Sequence, residues 1–378
     1  MTLRFDWKTS DDRRDLVHRT VQALVEGELV VFPTETVYGL AALATNPTAV
    51  ERLVNAKRSD ESKPLALAIG RGTDLSRFVA VQNRVASRLI DRCWPGPLTM
   101  VFPVSEEGGL AKFDERVRQR IATKSGVGFR MPDHPAILET LRLLPGPLVL
   151  TSASMAGEPD TTDADAAAAA VGEFAGIVID DRKTRFARPS TVIRFDRDGF
   201  TVLREGVVSA SRLRRLASEV ITFVCTGNSC RSPMAEAIFK RMLADDLGCD
   251  VHELPERGYT ILSAGLQAGS GGAASPESVL VVQKYNASLE DHVTQGLSDE
   301  LVRLSDRIVA LTRDHERRIR SVWPEAASKT SVLGGDEDVA DPIGQPMQAY
   351  VECAAQITSH LRGLRDVVLN RRPGGSVA

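Results

Sequence analysis

The sequence predicts an α/β protein of two domains, the first built on a mixed sheet and the second on a doubly wound parallel sheet. Three observations predict it. The chain has 378 residues, well beyond the ~150 that serves as a prior for one domain. Apolar runs of strand length alternate with helix-period segments along its whole length. That alternation restarts after a basic amphipathic stretch, 209-SASRLRRLASEV-220. The expected boundaries are 12–210 for the first domain, 211–220 for a connector and 221–370 for the second domain.

In the first half, 28-ELVVFP-33 reads as a strand because β-branched and aromatic side chains fill it. Next come a helix at 49-AVERLVNAK-57, a strand at 64-PLALAI-69, a helix at 83-NRVASRLIDRC-93 and a strand at 98-LTMVFPV-104. A strand at 127-VGFRMP-132, a helix at 134-HPAILETLRLL-144 and a strand at 147-PLVLTS-152 continue the pattern. After the alanine-rich helix 163-DADAAAAAVGEF-174 and the strand 176-GIVIDD-181, the strands 190-STVIRF-195 and 200-FTVLRE-205 flank Asp198-Gly199. That dipeptide is a hairpin signal, since both positions tolerate positive φ, so the sheet holds at least one antiparallel pair. In the second half, strands at 221–225, 259–265 and 306–312 alternate with helices at 233–246, 277–286, 313–322 and 347–370, the pattern of parallel strands with crossover helices.

Composition narrows the class. Hydrophobic content of 43% with 26% charged residues fits an ordinary soluble protein. A net charge of −3 gives no global basic field to draw the chain to nucleic acid. The five cysteines are odd in number and scattered, against a secreted disulfide framework, and the six histidines show no zinc-motif spacing, so no metal site is expected. The start, MTLRFDWKTSDDRRD, has no apolar core, and no run reaches the length of a membrane span. A cytoplasmic protein without membrane contact is expected.

The turn 225-CTGNSCRS-232 lies between an apolar strand and a helix in which Pro233 suits the first position. Such a turn aims backbone N–H groups and the positive end of the helix dipole at one point, where an oxyanion fits. Cys225 stands at the strand end, Gly227 lets the backbone curl inward, and Arg231 offers a two-pronged fork to phosphoryl oxygens. The same cradle, with the Ser232 hydroxyl, would stabilise a thiolate nucleophile. An isolated cysteine is more often a buried strand residue; the full C-x5-R-S spacing on a strand–loop–helix points to catalysis. The leaving group then needs an acid, and Asp341 in 338-DVADPIG-344 is the candidate, held extended by Pro342. The neighbouring Asp336, Glu337 and Asp338 read as a solvated acidic loop.

Residues 221–370 resemble the low-molecular-weight protein tyrosine phosphatase family. VCTGNSCRSPMAEAIF, the 263-SAG-265 strand end, 288-SLEDHVTQGL-297 and the late Asp-Pro occur in family order. The resemblance implies Cys225 as nucleophile, Arg231 as phosphate clamp and Asp341 as general acid. Thr226, Gly227, Asn228, Ser229, Cys230 and Ser232 would support the loop, and Cys230 would be able to form a protective disulfide with Cys225. Tyrosine-specific members carry a bulky apolar residue where this chain has Ser229, and aromatics where Ile343-Gly344 follow Pro342. The bacterial protein-arginine phosphatases carry a small hydroxyl residue at the first position. The phosphoprotein substrate implied is phosphoarginine in preference to phosphotyrosine.

The segment 33-PTETVYGLAA-42 follows a strand where the chain is expected to turn toward a helix. With 57-KRSDESKPLALAI-69, 94-WPGPLTMVF-102, 148-LVLTSASMAGEP-159, 188-RPSTVIRF-195 and 203-LREG-206, in that order, it resembles the threonylcarbamoyl-AMP synthase family, which has the YrdC-type fold. The family condenses L-threonine, bicarbonate and ATP, with Mg²⁺ on the phosphates, and its product serves the modification of an adenosine in certain tRNAs. The implied threonine site is Thr34, Thr36, Tyr38, Arg130, Ser152 and Ser190. The implied ATP site is Lys57, Arg58, Lys63, Ser154 and Arg204, whose cations would offset the repulsion between two anionic substrates.

Two positions depart from that family. Its Lys-x-Arg reads Lys57-Arg58-Ser59, and its Ser-x-Asn reads Ser152-Ala153-Ser154. An uncompensated loss of one charged phosphate contact costs about 1.5–3 kcal/mol. A reading of a different class therefore stands beside the bifunctional enzyme: a phosphatase whose N-terminal domain is a non-catalytic RNA- or nucleotide-binding module. The run 182-RKTRFAR-188 suits RNA, although a solvated charged loop is the simpler account of it. ATP use that depends on threonine and bicarbonate separates the two.

Overall fold

The computed structural model describes residues 2–57, 65–81, 83–103, 109–196 and 199–369. They fall into two compact units, Met1–Leu213 and Arg214–Ala378, each with its own sheet. Among the described residues no helix is long and apolar enough to cross a membrane.

The first unit holds β1 (Leu3–Asp6), β2 (Leu29–Phe32), β3 (Gly39–Leu43), β4 (Ala66–Ala68), β5 (Leu98–Phe102), β6 (Ala122–Thr123), β7 (Gly126–Arg130), β8 (Leu148–Ser152), β9 (Ala175–Asp180), β10 (Thr191–Phe195) and β11 (Phe200–Arg204). Their order across the sheet is β1-β9-β2-β3-β8-β4-β7-β5-β10-β11, with β6 on β7. The sheet is mixed: β2–β9, β4–β7 and β5–β10 run parallel, while β2–β3, β3–β8, β5–β7 and β10–β11 run antiparallel. The helices are α1 (Arg13–Val25), α2 (Pro47–Lys57), α3 (Arg84–Cys93), α4 (Glu115–Ile121), α5 (Pro135–Leu143) and α6 (Ala164–Val171). α1 and α5 cover one face through Leu16, Val17, Leu24, Ile137 and Leu141, which pack on Val30, Phe32, Ala41 and Ile177.

The expected turn toward a helix after Pro33 is corrected. The chain instead runs into β3, antiparallel to β2, with Phe32 opposite Gly39. Gly39–Leu43 is apolar at every position and buried at every position, so a central strand is the way to hide it without exposing backbone. The β10–β11 hairpin forms, although Asp198 of its turn lies outside the described residues.

Helix α7 (Ala210–Ala217) leads to the second unit, whose strands are β12 (Glu219–Cys225), β13 (Tyr259–Gly265), β14 (Arg307–Ala310) and β15 (Thr330–Val332). All are parallel, in the order β13-β12-β14-β15. The helices are α8 (Arg231–Leu247), α9 (Pro276–Val282), α10 (Asp299–Leu304), α11 (Arg313–Val322) and α12 (Met347–Leu369). Side chains alternate along β12 as strand geometry demands. Ile221, Phe223 and Cys225 face a core shared with α8, α9 and α12, whereas Val224 faces Leu301, Val302 and Ile319 of α10 and α11. The parallel sheet is thus covered on both faces. α8 begins at Arg231, two residues before the expected start, so Pro233 is its third residue, still in the turn whose N–H groups have no helical partner.

Candidate active sites

β12 ends at Cys225 and α8 starts at Arg231, so the phosphate loop spans the gap between a buried strand and a helix N-terminus. The Cys225 Sγ lies 2.9 Å from the Ser232 Oγ and accepts from the Asn228 N–H at 3.3 Å. Asn228 is the hub of the loop. Its backbone is left-handed at φ 55°, and its amide donates to the Ser232 and Ser263 hydroxyls at 3.0 and 2.9 Å. Its Oδ1 accepts from the Gln295 N–H, and its carbonyl from the His292 Nε2, both at 2.9 Å. Ser263 in turn donates to Glu236. The amides of Gly227, Ser229 and Cys230 make no hydrogen bond to another described residue, which leaves them as donors for an oxyanion.

Gly265, at the end of β13, is required by close approach: a Cβ there would stand 2.6 Å from the Thr226 carbonyl oxygen and 2.9 Å from the Asn228 nitrogen. Arg231 is buried, and its guanidinium meets the Asp341 carboxylate directly, while Asp341 itself is exposed. The residues expected as clamp and acid, separated by 110 residues in sequence, therefore meet at one point. Asp338 accepts from the Arg313 amide at 2.8 Å, and that amide, with the Arg313 charge, holds its carboxyl below the usual range.

Ser229 is half-buried, and its carbonyl accepts from the Ser275 N–H at 2.8 Å. The Cys230 Sγ stands 3.5 Å from the Ser275 Oγ and 3.8 Å from the Tyr350 hydroxyl. All five cysteines are free thiols in this structure. Burial pushes the Cys353 thiol, behind the loop, up to about 12.

The first unit contains a cavity of about 940 Å³. It is lined by Thr34, Tyr38, Lys57, Arg130, Ser152, Ser154, Ser190 and Arg204, from the β2–β3 connection, the end of α2, β7, the end of β8 and the turn after it, the residue before β10, and β11. Thr36 lies just behind this wall: its hydroxyl is 2.9 Å from that of Thr34 and accepts from Arg130 at 2.7 Å. Arg130 also pairs with buried Glu35 at 2.7 Å, and its Nε is buried with no partner among the described residues. A guanidinium half-satisfied in this way favours an anion in the cavity. Tyr38 is buried; its hydroxyl donates to the Arg182 carbonyl at 2.8 Å and accepts from the Asp181 N–H at 3.0 Å, which uses that group for holding the wall.

Lys57, the last residue of α2, donates to the carbonyl of Ser152 at 2.7 Å and to that of Ser154, so its ammonium ties down the 152–154 turn. The Ser152 and Ser154 hydroxyls lie 3.1 Å apart. The Ser190 Oγ meets Thr99 at 2.9 Å, and its carbonyl accepts from Arg204 at 3.0 Å. Burial lowers the Arg204 pKa, while the facing Asp160 carboxylate raises it. Arg58 and Lys63 lie outside the described residues. Among the described residues no cluster of three His, Cys, Asp or Glu side chains forms a metal-holding group.

Sequence reasoning missed several partners. Glu35, Thr99 and Asp160 line or brace the cavity, and Glu236, Gln295 and His315 brace the phosphate loop. Glu35 sits inside the quoted 33-PTETVYGLAA-42, but only a tertiary contact reveals Arg130 as its partner.

The two geometries define two sites: a cysteine–arginine loop suited to an oxyanion, and a cavity lined by Lys57, Arg130 and Arg204. Comparison with known proteins assigns each. The Sua5/YciO/YrdC family model, described as telomere recombination, matches residues 22–206. The low molecular weight phosphotyrosine protein phosphatase model matches residues 220–372. A putative threonylcarbamoyl-AMP synthase from Methanocaldococcus jannaschii is 31% identical over 205 residues, covering 54% of this chain and 92% of that protein. A protein-arginine-phosphatase from Bacillus subtilis is 35% identical over 149 residues, covering 38% of this chain and 93% of that protein. The structure of a doubly substituted variant of P. abyssi Sua5 aligns at a TM-score of 0.52 and 22% identity, over 88% of this chain and 98% of that one, a likeness of fold alone. The chain belongs to both families, its first half to the threonylcarbamoyl-AMP synthases and its second to the low-molecular-weight protein phosphatases.

Proposed function

We propose that the chain is a bifunctional enzyme. Its first unit condenses L-threonine, bicarbonate and ATP into threonylcarbamoyl-AMP with release of pyrophosphate, and so feeds a tRNA modification without requiring tRNA on this chain. Its second unit hydrolyses phosphorylated protein. Both substrates of the first reaction carry negative charge, and the convergence of Lys57, Arg130 and Arg204 on one cavity is the observation that supports it. Thr34, Thr36, Arg130, Ser152 and Ser190 form the amino-acid end, with Tyr38 holding the wall behind them. Ser154 and Arg204 form the nucleotide end, to which the family resemblance also assigns Arg58 and Lys63, outside the described residues. Lys57 contributes its charge while fixing the turn between the two ends.

Mg²⁺ accompanies the phosphates in this scheme. Asp160 and Glu158 line the cavity, and their carboxylates are the oxygen donors a hard cation takes. Bound there, the ion would neutralise phosphate charge. Cytoplasmic location fits these substrates.

In the phosphatase, Cys225 attacks phosphorus to form a phosphocysteine, and the bond to the leaving atom breaks as Asp341 protonates it. Water then attacks with Asp341 as base, releasing phosphate and regenerating the thiolate. The loop amides and Arg231 hold the equatorial oxygens throughout. Asn228 and Ser232 fix the thiolate, Thr226 and Gly227 shape the turn, and Cys230 is the thiol available to Cys225 under oxidation. Ser229 presents a hydroxyl where a phenyl ring would want apolar contact, which supports phosphoarginine over phosphotyrosine.

The test is pyrophosphate release from ATP and Mg²⁺ with and without L-threonine and bicarbonate, run beside hydrolysis of phosphoarginine and phosphotyrosine peptides. Release that needs both co-substrates and fails in Lys57→Ala supports the synthase. Folded protein with no dependent release would make the first unit a binding module. Ser229→Ile should shift preference toward phosphotyrosine, and an unchanged ratio would remove the case for phosphoarginine.

A further inference from the structure

His315 belongs to neither the nucleophile, the clamp nor the acid, yet it reaches the phosphate loop. It sits in the first turn of α11, 4% exposed. Its Nε2 lies 2.9 Å from the Oγ1 of Thr226, the residue that follows Cys225, and its Nδ1 lies 2.9 Å from the Oγ1 of Thr312. Thr312 is the N-cap of α11, and its Oγ1 already accepts from the His315 backbone N–H at 3.2 Å. The Thr312 hydroxyl keeps its hydrogen and a second lone pair for the contact with Nδ1. A neutral imidazole carries a single ring N–H, so one of these two contacts is made by a donor nitrogen and the other by an acceptor.

We propose that His315 is a positioning residue of the phosphatase, a neutral relay whose Nε2–H, donated to Thr226 while Nδ1 accepts from Thr312, locks the Thr226 side chain to the capped end of α11 and so fixes the first step of the loop beside the nucleophile. The inference rests on the phosphatase reading of Cys225. It uses an uncharged donor for a physical reason: the buried Arg231 guanidinium is near, and a second cation there would compete for the same phosphoryl oxygens. The charged groups facing the ring are Arg231 of α8, Asp314 and Arg318 of α11, and Asp338 and Asp341 of the acidic loop. Burial first, then Arg231, lowers the imidazole to about 4, so it stays neutral at any pH near 7. Thr226 and His315 are 89 residues apart, and no motif of the loop announces the pair.

The experiment uses the full chain and a generic aryl phosphate. His315→Ala should lower kcat about tenfold with KM little changed, the scale of one lost positioning hydrogen bond. His315→Gln, whose amide nitrogen can replace Nε2 as donor, should recover most of that loss. Thr226→Val should match His315→Ala, and the double variant should be no slower than either single one. A wild-type kcat in His315→Ala, or losses that multiply in the double variant, would overturn the inference. Should His315→Ala fail to fold, Thr226→Val and His315→Gln carry the same test. Nitrogen-15 spectra of the ring give a readout that a merely structural side chain would not share. Protonated Nε2, bare Nδ1 and no titration between pH 5.5 and 8 are expected, and a proton on Nδ1 or a midpoint in that window would refute the assignment. An inactive wild type with the expected tautomer would instead remove the phosphatase reading.

Discussion

Asn228 shows how much of the phosphatase rests on one side chain. It is buried, left-handed at φ 55°, and bonded through its amide and carbonyl to Ser232, Ser263, Gln295 and His292. Asn228→Ala removes three buried side-chain hydrogen bonds and leaves a residue less tolerant of that φ. We expect a loss of about 2–4 kcal/mol of stability and a fall in kcat of at least a hundredfold, read by denaturant unfolding and aryl phosphate turnover. Near-normal turnover would mean that the network is dispensable. His315 supplies a pH dependence of its own. Its pKa is lowered from 6.5 to about 4 in the folded protein, so the unfolded chain binds more protons between those values. Its contribution to stability is therefore complete above pH 6.5 and is lost as pH falls toward 4. His315→Gln should flatten the acid limb of the unfolding curve, and an unchanged slope would contradict this.

Strand and helix ends decide where these side chains stand. The parallel register of β12 and β13 sets Cys225 opposite Gly265, and the missing Cβ at Gly265 lets the loop carbonyl and amide come within reach of the strand. Gly265→Ala should displace the loop, raising KM for an aryl phosphate and lowering kcat together, while leaving the threonine-dependent pyrophosphate release intact. Unaltered phosphatase kinetics would show that the loop absorbs the methyl group. In the first unit, the C-terminal end of α2 delivers Lys57 to the turn that follows β8. Lys57→Met keeps much of the volume but frees two carbonyls, so we expect pyrophosphate release to fall at least tenfold. A variant as fast as wild type would deny the turn its anchor.

Each of the two units carries its own sheet, core and site. The expected consequence is functional separability. Cys225→Ser should abolish phosphatase activity and leave the synthase rate within about twofold, while Lys57→Ala should do the reverse, the order of effect seen when independent sites are changed. Loss of both activities in either variant would show that the two chemistries are coupled.

Local pattern was enough to determine most of the α/β elements, the restart near residue 220 and the 225–232 loop. Their signals are short in range: apolar periodicity, a glycine, a proline, and a C-x5-R-S spacing. Only the tertiary structure decided that the segment after Pro33 becomes the central strand β3, because burial on both faces outweighs a polar turn signal that a single sequence shows just as plainly. It alone set Arg231 against Asp341, Arg130 against Glu35 and His315 against Thr226. Such pairs are invisible in a chain read residue by residue, since their partners lie dozens of positions apart and meet only when strands have taken their register.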